Sequence, residues 1–420
     1  MPLLSYTCKM KKATTWAVLC CLIVACNQTR QKTNNMNQQP SAKGTFGYDQ
    51  EFVTKYVSPV VLSDSAGNSQ VMIIPQWQAR VMTSSAKGQN GFSYGWMNYN
   101  LISSRKPAEH INAFGGEERF WLGPEGGPFS LYFKNAVKQE FANWHVPAVL
   151  DTIGFDVVAQ TKTAAVFSKK CQLTNYSGTI FDLQIKRKIS LLSKTETESI
   201  LGINFKEGIS CVGYETQNGI SNLGKEAWTE KSGTLSVWML SMLTPSPGVT
   251  IFLPYKKEGS GIIVNDDYFG KIPAERLIVK DGIIWFKADG KYRSKIGLPP
   301  ERATGLCGSY DAINKALTIL QCKLPETKSN YVNSKWGTQT DPFSGDVINS
   351  YNDGPVEDGT QMGPFYELES SSPAAFLKPG ESLTHTQRIY HFEGEEEQLS
   401  VITEKLFGIS IQQIKKTFLK

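Results

Sequence analysis

Glu367 and Glu369, two residues apart, are the strongest candidates for chemistry in this chain of 420 residues. In a strand, positions i and i+2 face the same side, so both carboxylates would stand together while Tyr366 and Leu368 turn away. Neighbouring carboxyls can divide the roles of general acid and general base. The competing reading is a solvated acidic face, neutralised by Lys378 or Arg388. A second cluster, Glu117, Arg119 and Glu125, sits among glycines, where backbone can approach a ligand closely and an arginine can fork to hydroxyls or a carboxylate. Ordinary turn structure with surface ion pairs would explain it equally. His385, in the strand-like stretch Leu383-Thr384-His385-Thr386-Gln387, is the best acid candidate and would stand beside Glu367 if the two strands pair. His110 is second, whereas His145 beside Trp144 and His391 beside Tyr390 read as packing or surface residues. Asp353, in Asn352-Asp353-Gly354-Pro355, reads either as a turn residue or as a ligand contact.

No two histidines have metal-ligand spacing, and neither a metal nor another cofactor is expected. Cys171, Cys211, Cys307 and Cys322 also lack the close paired spacing of a zinc site. In an oxidising compartment one or two disulfides would form, and Cys307 with Cys322 is the first pair to consider, as two strands of one hairpin. Buried free thiols are the alternative.

The N-terminus supplies a location. Lys9, Lys11 and Lys12 precede the apolar run of residues 17–25, and Cys26 follows directly. This is the pattern of a signal peptide over residues 1–25, because a bilayer-spanning helix needs about 20 apolar residues. Ile23-Val24-Ala25-Cys26 resembles a lipobox, which makes Cys26 the expected lipidation site and membrane anchor. Asn27 and Gln28 follow where an Asp would signal inner-membrane retention. The expected address is therefore the cell envelope, on the outer membrane facing the periplasm or cell surface.

Residues 26–48, rich in Asn, Gln, Thr, Ser and Lys, read as a flexible tether that buries too little apolar surface to order itself. Residues 49–420 continue without a second linker, low-complexity stretch or charge run, as one domain. Three lysines and no acid leave with the presequence, so the formal charge of +5 becomes +2. Such a balance excludes nucleic acid as an expected partner. Oligomeric state is not legible.

Short β-branched and aromatic runs broken by Gly, Asn, Asp and Pro recur throughout: residues 71–74, 164–167, 249–253 and 282–286. Residues 180–189 alternate apolar and polar, as a sheet with one wet face should. Helical periodicity is confined to the C-terminus, where Leu399, Ile402, Leu406 and residues 409–414 predict a short amphipathic helix with a basic tail. The class is mainly β, and so many strands in one domain favour two large packed sheets.

Several segments carry a resemblance. Residues 112–127 (NAFGGEERFWLGPEGG) look like the Gly-Gly segment of aldose 1-epimerase-like proteins. Leu173-Thr174-Asn175-Tyr176-Ser177 leading into residues 181–189 is similar to their Asn-x-Ser and Arg-bearing strand. Glu367-Leu368-Glu369-Ser370, followed by Leu377-Lys378-Pro379-Gly380-Glu381, resembles their closing strands. With Tyr351-Asn352-Asp353-Gly354-Pro355, the pattern resembles an uncharacterised, DUF6786-like family of Bacteroidetes lipoproteins with a galactose-mutarotase-like β-supersandwich, over most of residues 50–394.

The resemblance implies a carbohydrate-facing concave sheet. It places one of Glu367 and Glu369 where the family keeps its base; Trp121 and Trp238, within the motif segments, read either as a face on which a sugar ring stacks or as core residues. The family's acid and its helper are two histidines in mid-chain. This sequence has no histidine between His145 and His385, and residues 228–238 offer Trp228 and Trp238 instead, which argues against mutarotase activity. The expected function is glycan binding, with Glu117, Arg119, Trp121, Glu125, Trp238 and Asp353 as contacts. The alternatives are a sugar-active enzyme, an epimerase or lyase-like protein using Glu367 or Glu369 with His385, and a non-catalytic structural envelope protein.

Overall fold

A computed structural model describes residues 41–419. The expected signal peptide, Cys26 and the tether as far as residue 40 lie outside the described residues. The end of the tether needs correction, because the helix Phe46–Val53 starts within it, capped by the Thr45 hydroxyl accepting from the Tyr48 amide at 3.4 Å. Polar composition hid this start. Phe46 is nevertheless fully buried against Val53, Met72 and Trp77, and that burial orders the segment.

Among the described residues the strands form three antiparallel sheets. A small one runs Val60–Ser63, Gln70–Ile74 and Arg80–Ser85. A large sheet of ten strands has at its centre Leu306–Asp311, Ala316–Cys322, Ser382–Glu393, Ser210–Asn222 and Ile180–Leu192. The third has five strands in the order Ser294–Leu298, Ile348–Asn352, Tyr366–Ser371, Ser236–Leu243 and Arg119–Gly123. This sheet packs on the ten-stranded one. Phe120, Leu122, Val237, Met239 and Leu368 meet Phe181, Leu183, Ile185, Ile220, Leu320 and Ile389 in one continuous apolar core.

Each strand-like run falls on a strand, except that Gly282 is the turn residue before Ile283–Lys287. Residues 180–189 extend to Ile180–Leu192, where inward and outward positions alternate to the end. Arg187 occupies an inward position and is fully buried, paired with the equally buried Glu118. The far side of the ten-stranded sheet is covered at the C-terminus. There the expected single helix is two, Glu396–Phe407 and Ile411–Lys416, because Gly408 turns left-handed at φ 71° and Ser410 starts a new capping box with Gln413. Leu399, Ile402, Ile411 and Ile414 bury against Leu317, Ile319, Tyr390 and Phe392.

Cys307 and Cys322 do lie on the two strands of one hairpin. They are not joined: among the described residues Cys171, Cys211, Cys307 and Cys322 are all free, with Cys307 and Cys322 buried.

Candidate functional site

The register of the five-stranded sheet fixes which side chains share a face. Arg119 is opposite Leu240, Trp121 opposite Trp238, Glu369 opposite both Leu240 and Asn349, and Glu367 opposite Met242 and Tyr351. Lys295 is in turn opposite Tyr351. Alternation therefore places Arg119, Trp121, Trp238, Glu367, Glu369, Tyr351 and Lys295 on the face turned away from the sandwich core. The core-facing positions between them are apolar or small: Phe120, Val237, Leu368 and Ser370. Strand pairing alone thus collects a buried cationic, acidic and aromatic cluster, in which Trp121 and Trp238 are each 4% exposed, from segments more than 240 residues apart.

Two ion pairs organise this face. The Arg119 guanidinium donates to Glu367, both side chains being almost entirely buried. Lys295 Nζ donates to Glu369 Oε2 at 2.9 Å, and the Trp238 indole donates to the same oxygen at 2.8 Å. The cations also lie over the tryptophans, Arg119 4.8 Å from the Trp121 ring and Lys295 4.8 Å from that of Trp238. The two rings pack edge to face at 5.5 Å. Trp144 and Tyr132 continue this aromatic wall beyond the sheet.

Burial governs the electrostatics. It pushes the Glu367 carboxyl up to about 7; Arg119 opposes the rise and the Glu369 charge adds to it. Burial also raises Glu125, against the pull of Lys295 and a contact with Trp336. For Lys295 burial acts the other way, favouring the neutral amine, yet the charges of Glu369 and Glu125 outweigh it and hold the ammonium above its usual range. A carboxyl near 7 can give or take a proton at neutral pH. Among the described residues, no group of three or more His, Cys, Asp or Glu is arranged to hold a metal ion.

Three buried polar atoms of this face have no hydrogen-bond partner among the described residues: Arg119 Nε, Trp121 Nε1 and Glu369 Oε1. Two are donors and one an acceptor. Leaving such groups unmatched costs about 1–3 kcal/mol each. A ligand that both donates and accepts would relieve all three, and a hydroxyl does both.

Of the residues singled out in the sequence, the structure brings together Glu367, Glu369, Arg119, Trp121 and Trp238, with Glu125 close enough to feel Lys295 and Glu369. His385 does not join them. Its strand pairs with Ser210–Asn222 and Ala316–Cys322, not with Tyr366–Ser371, and its Nε2 lies 2.7 Å from the Ser370 hydroxyl on the core side of that strand. Glu117 is displaced too. It points into the sandwich, bound by His391 Nε2 at 2.7 Å and the Ser84 hydroxyl at 2.8 Å. Asp353 stays at the margin, accepting from the Tyr351 hydroxyl at 2.5 Å and the Gly363 amide at 3.0 Å, so it holds Tyr351 in place. His110, on the Trp144 carbonyl at 2.8 Å, and His145 serve local packing.

The sequence did not single out Lys295, and it named Tyr351 only as part of the motif of residues 351–355. The available signal was alternation along Ser294–Leu298 and Ile348–Asn352, but a lone lysine in a short strand looks like any solvated side chain.

A family model described as a family of unknown function, DUF6786, matches residues 44–418. No curated protein matches the chain. Among solved structures, a galactose mutarotase-like protein from Lactobacillus casei is similar at 9% identity, covering 80% of this chain and 100% of that one with a TM-score of 0.47. A galactose mutarotase related enzyme from Lactobacillus acidophilus is similar at 9% identity, over 80% and 97% of the two chains, with a TM-score of 0.43. A Synechocystis protein is similar at 11% identity, over 81% and 96%, with a TM-score of 0.49.

Proposed function

We propose that this chain, which belongs to the DUF6786 family of unknown function, is a saccharide-binding protein whose ligand lies on the outer face of the five-stranded sheet. The observation that carries the reading is that Arg119 Nε, Trp121 Nε1 and Glu369 Oε1, on one face of the sheet, are buried and unmatched beside two tryptophan rings. Hydroxyls answer the mixed donors and acceptor, and the apolar face of a sugar ring answers the indoles. Intrinsic tryptophan fluorescence titrated with a panel of hexoses, uronic acids and their disaccharides tests it. A saturable response that weakens at least tenfold in Glu369→Gln and Arg119→Met is expected, and a flat response across the panel would sink the reading.

A second reading, an acid-base enzyme acting on sugars, draws on one observation, the Glu367 carboxyl raised to about 7. His385 is no longer its partner; Tyr351 or Glu125 would have to serve. NMR of anomer interconversion, comparing the wild type with Glu367→Gln, decides it: equal rates leave binding alone.

For location, we propose an envelope lipoprotein acylated at Cys26, on the strength of the lipobox-like sequence. Labelled palmitate incorporated by the wild type and lost in Cys26→Ala is the expected outcome; labelling that survives the substitution would refute it.

A further inference from the structure

A cavity of about 440 Å³ lies apart from the ion pairs of the five-stranded sheet, between the first helix and residues 92–100. Its lining includes Lys43, Asp49, Phe92, Ser93, Trp96 and Tyr99. Asp49 is 2% exposed, and its two carboxylate oxygens accept from the Ser93 and Tyr99 hydroxyls. Each carboxylate oxygen takes one protein donor and keeps further acceptor capacity. Ser93 is fixed in turn by the Thr83 hydroxyl at 2.7 Å. The exposed Lys43 holds its ammonium 5.3 Å from the Tyr99 ring, so one cation and one carboxylate share the cavity and neither sign of charge is left over for a ligand to balance. Three aromatic side chains, Phe92, Trp96 and Tyr99, supply apolar walls.

We infer that this cavity is a second ligand site, for a neutral polyhydroxylated molecule the size of one sugar ring. Its volume is in the range of small-molecule sites, which combine apolar walls with a few fixed polar groups. Asp49 would accept ligand hydroxyls, Lys43 would donate, and Trp96 or Tyr99 would stack. With one charge of each sign in the lining, a charged ligand gains from one group what it loses to the other, so net charge gives no advantage there. Trp96 lines this cavity and also packs on Phe365 at 5.0 Å, in the cluster of Met242 and Tyr351, and Tyr351 is opposite Glu367 in the sheet.

The test uses the full-length chain labelled with 5-fluorotryptophan, with ¹⁹F resonances assigned by Trp→Phe substitution and titrated with D-glucose and D-galactose. The expected result is that Trp96 and Trp238 both respond with separate midpoints. Asp49→Asn, Tyr99→Phe and Lys43→Ala should weaken the Trp96 transition at least fivefold while leaving that of Trp238 in place. Tyr99→Phe and Lys43→Ala, at half-buried and exposed positions, keep the test decisive if Asp49→Asn does not fold. A Trp96 response without one from Trp238 supports the cavity and overturns the sheet-face reading. A Trp238 response alone, or a Trp96 response indifferent to all three substitutions, overturns the cavity site. No response from either overturns both.

Discussion

The Ser370 hydroxyl and His385 Nε2 meet at 2.7 Å inside the sandwich, with Gln387 as the second partner of the same hydroxyl. Ser370 is one residue from Glu369, so the strand that displays the carboxylates outward uses its alternate positions to lock the two sheets together. Burial lowers the His385 imidazole to about 4, so it is neutral at pH 7. Below pH 6.5 the unfolded chain binds a proton that the folded chain refuses. This contribution to stability is complete above about pH 6.5 and is lost as pH falls toward 4, a change of about 2–4 kcal/mol. Thermal melts from pH 4.5 to 7 should show a shallower acid-side decline in His385→Gln than in the wild type; parallel curves would contradict the assignment.

Glu367 titrates with the opposite sign. Its folded carboxyl, raised to about 7, keeps a proton that the unfolded chain has already released above about pH 4.5. Its contribution is complete below that pH and is lost as pH rises through 7. In chemical denaturation at pH 5 and pH 8, Glu367→Gln should therefore lose less stability, relative to wild type, at pH 8. An equal loss at both pH values would contradict a folded carboxyl that titrates between them.

Lys295→Met tests the ion pair that sequence reading missed. Glu369 is fully buried and would keep only the Trp238 indole as a donor. Removing one partner of a buried pair costs about 3–5 kcal/mol. Urea denaturation should show such a loss, largely restored in Lys295→Met/Glu369→Gln, where no unpaired charge remains. A loss under 1 kcal/mol would mean that solvent reaches Glu369.

Arg187 and Glu118 make a structural counterpart deeper in the core. Glu118 accepts from Arg187, from Thr216 at 2.8 Å and from Gln387 at 2.8 Å, while Arg187 also reaches Asn218 at 2.8 Å and the carbonyls of Gln78 and Ala79. One buried pair thus ties the segment entering the small sheet to the large sheet. Arg187→Met should cost about 3–5 kcal/mol, with a much smaller loss in Arg187→Met/Glu118→Gln. Saccharide affinity in the surviving folded fraction should not change, since neither residue lies on the outer face.

The sequence was most legible where periodicity is local. Ile180–Leu192 alternates strictly, so its strand and inward face follow from the residues themselves. The shared face of Glu367 and Glu369 follows from their spacing in the same way. What escaped depends on which strands become neighbours. Tyr366–Ser371 and Ser382–Glu393 are close in sequence, which made their pairing a natural expectation, yet the first pairs with Ser236–Leu243 and Ile348–Asn352 and the second belongs to the opposing sheet. Side-chain alternation says which face a residue takes, and nothing local says what that face meets. The same reason hid Lys295, brought to Glu369 only through the intervening strand Ile348–Asn352.

Cysteine chemistry offers a further check. Burial pushes the Cys307 thiol far above its ordinary range and that of Cys322 up to about 12. A thiolate is the reactive form, so both should resist alkylation. Iodoacetamide labelling read by peptide mass spectrometry should modify neither in the native protein and both in 6 M guanidinium. Rapid native labelling, or protection that reduction alone relieves, would contradict two buried free thiols.

Gly363→Ala tests the partition between the two proposed sites. A Cβ at this position would come within 2.2 Å of Trp96 Cζ2, and Trp96 is itself 8% exposed and packed on Phe365. The indole must move, at a cost of about 1–3 kcal/mol for overpacking a filled interior. Because the ring that moves both lines the cavity and packs in the Tyr351 cluster, this single methyl should weaken the Trp96 and Trp238 ligand responses together, unlike Asp49→Asn or Glu369→Gln, which act on one each. A stable Gly363→Ala protein with both midpoints unchanged would show that Trp96 does not couple the two faces.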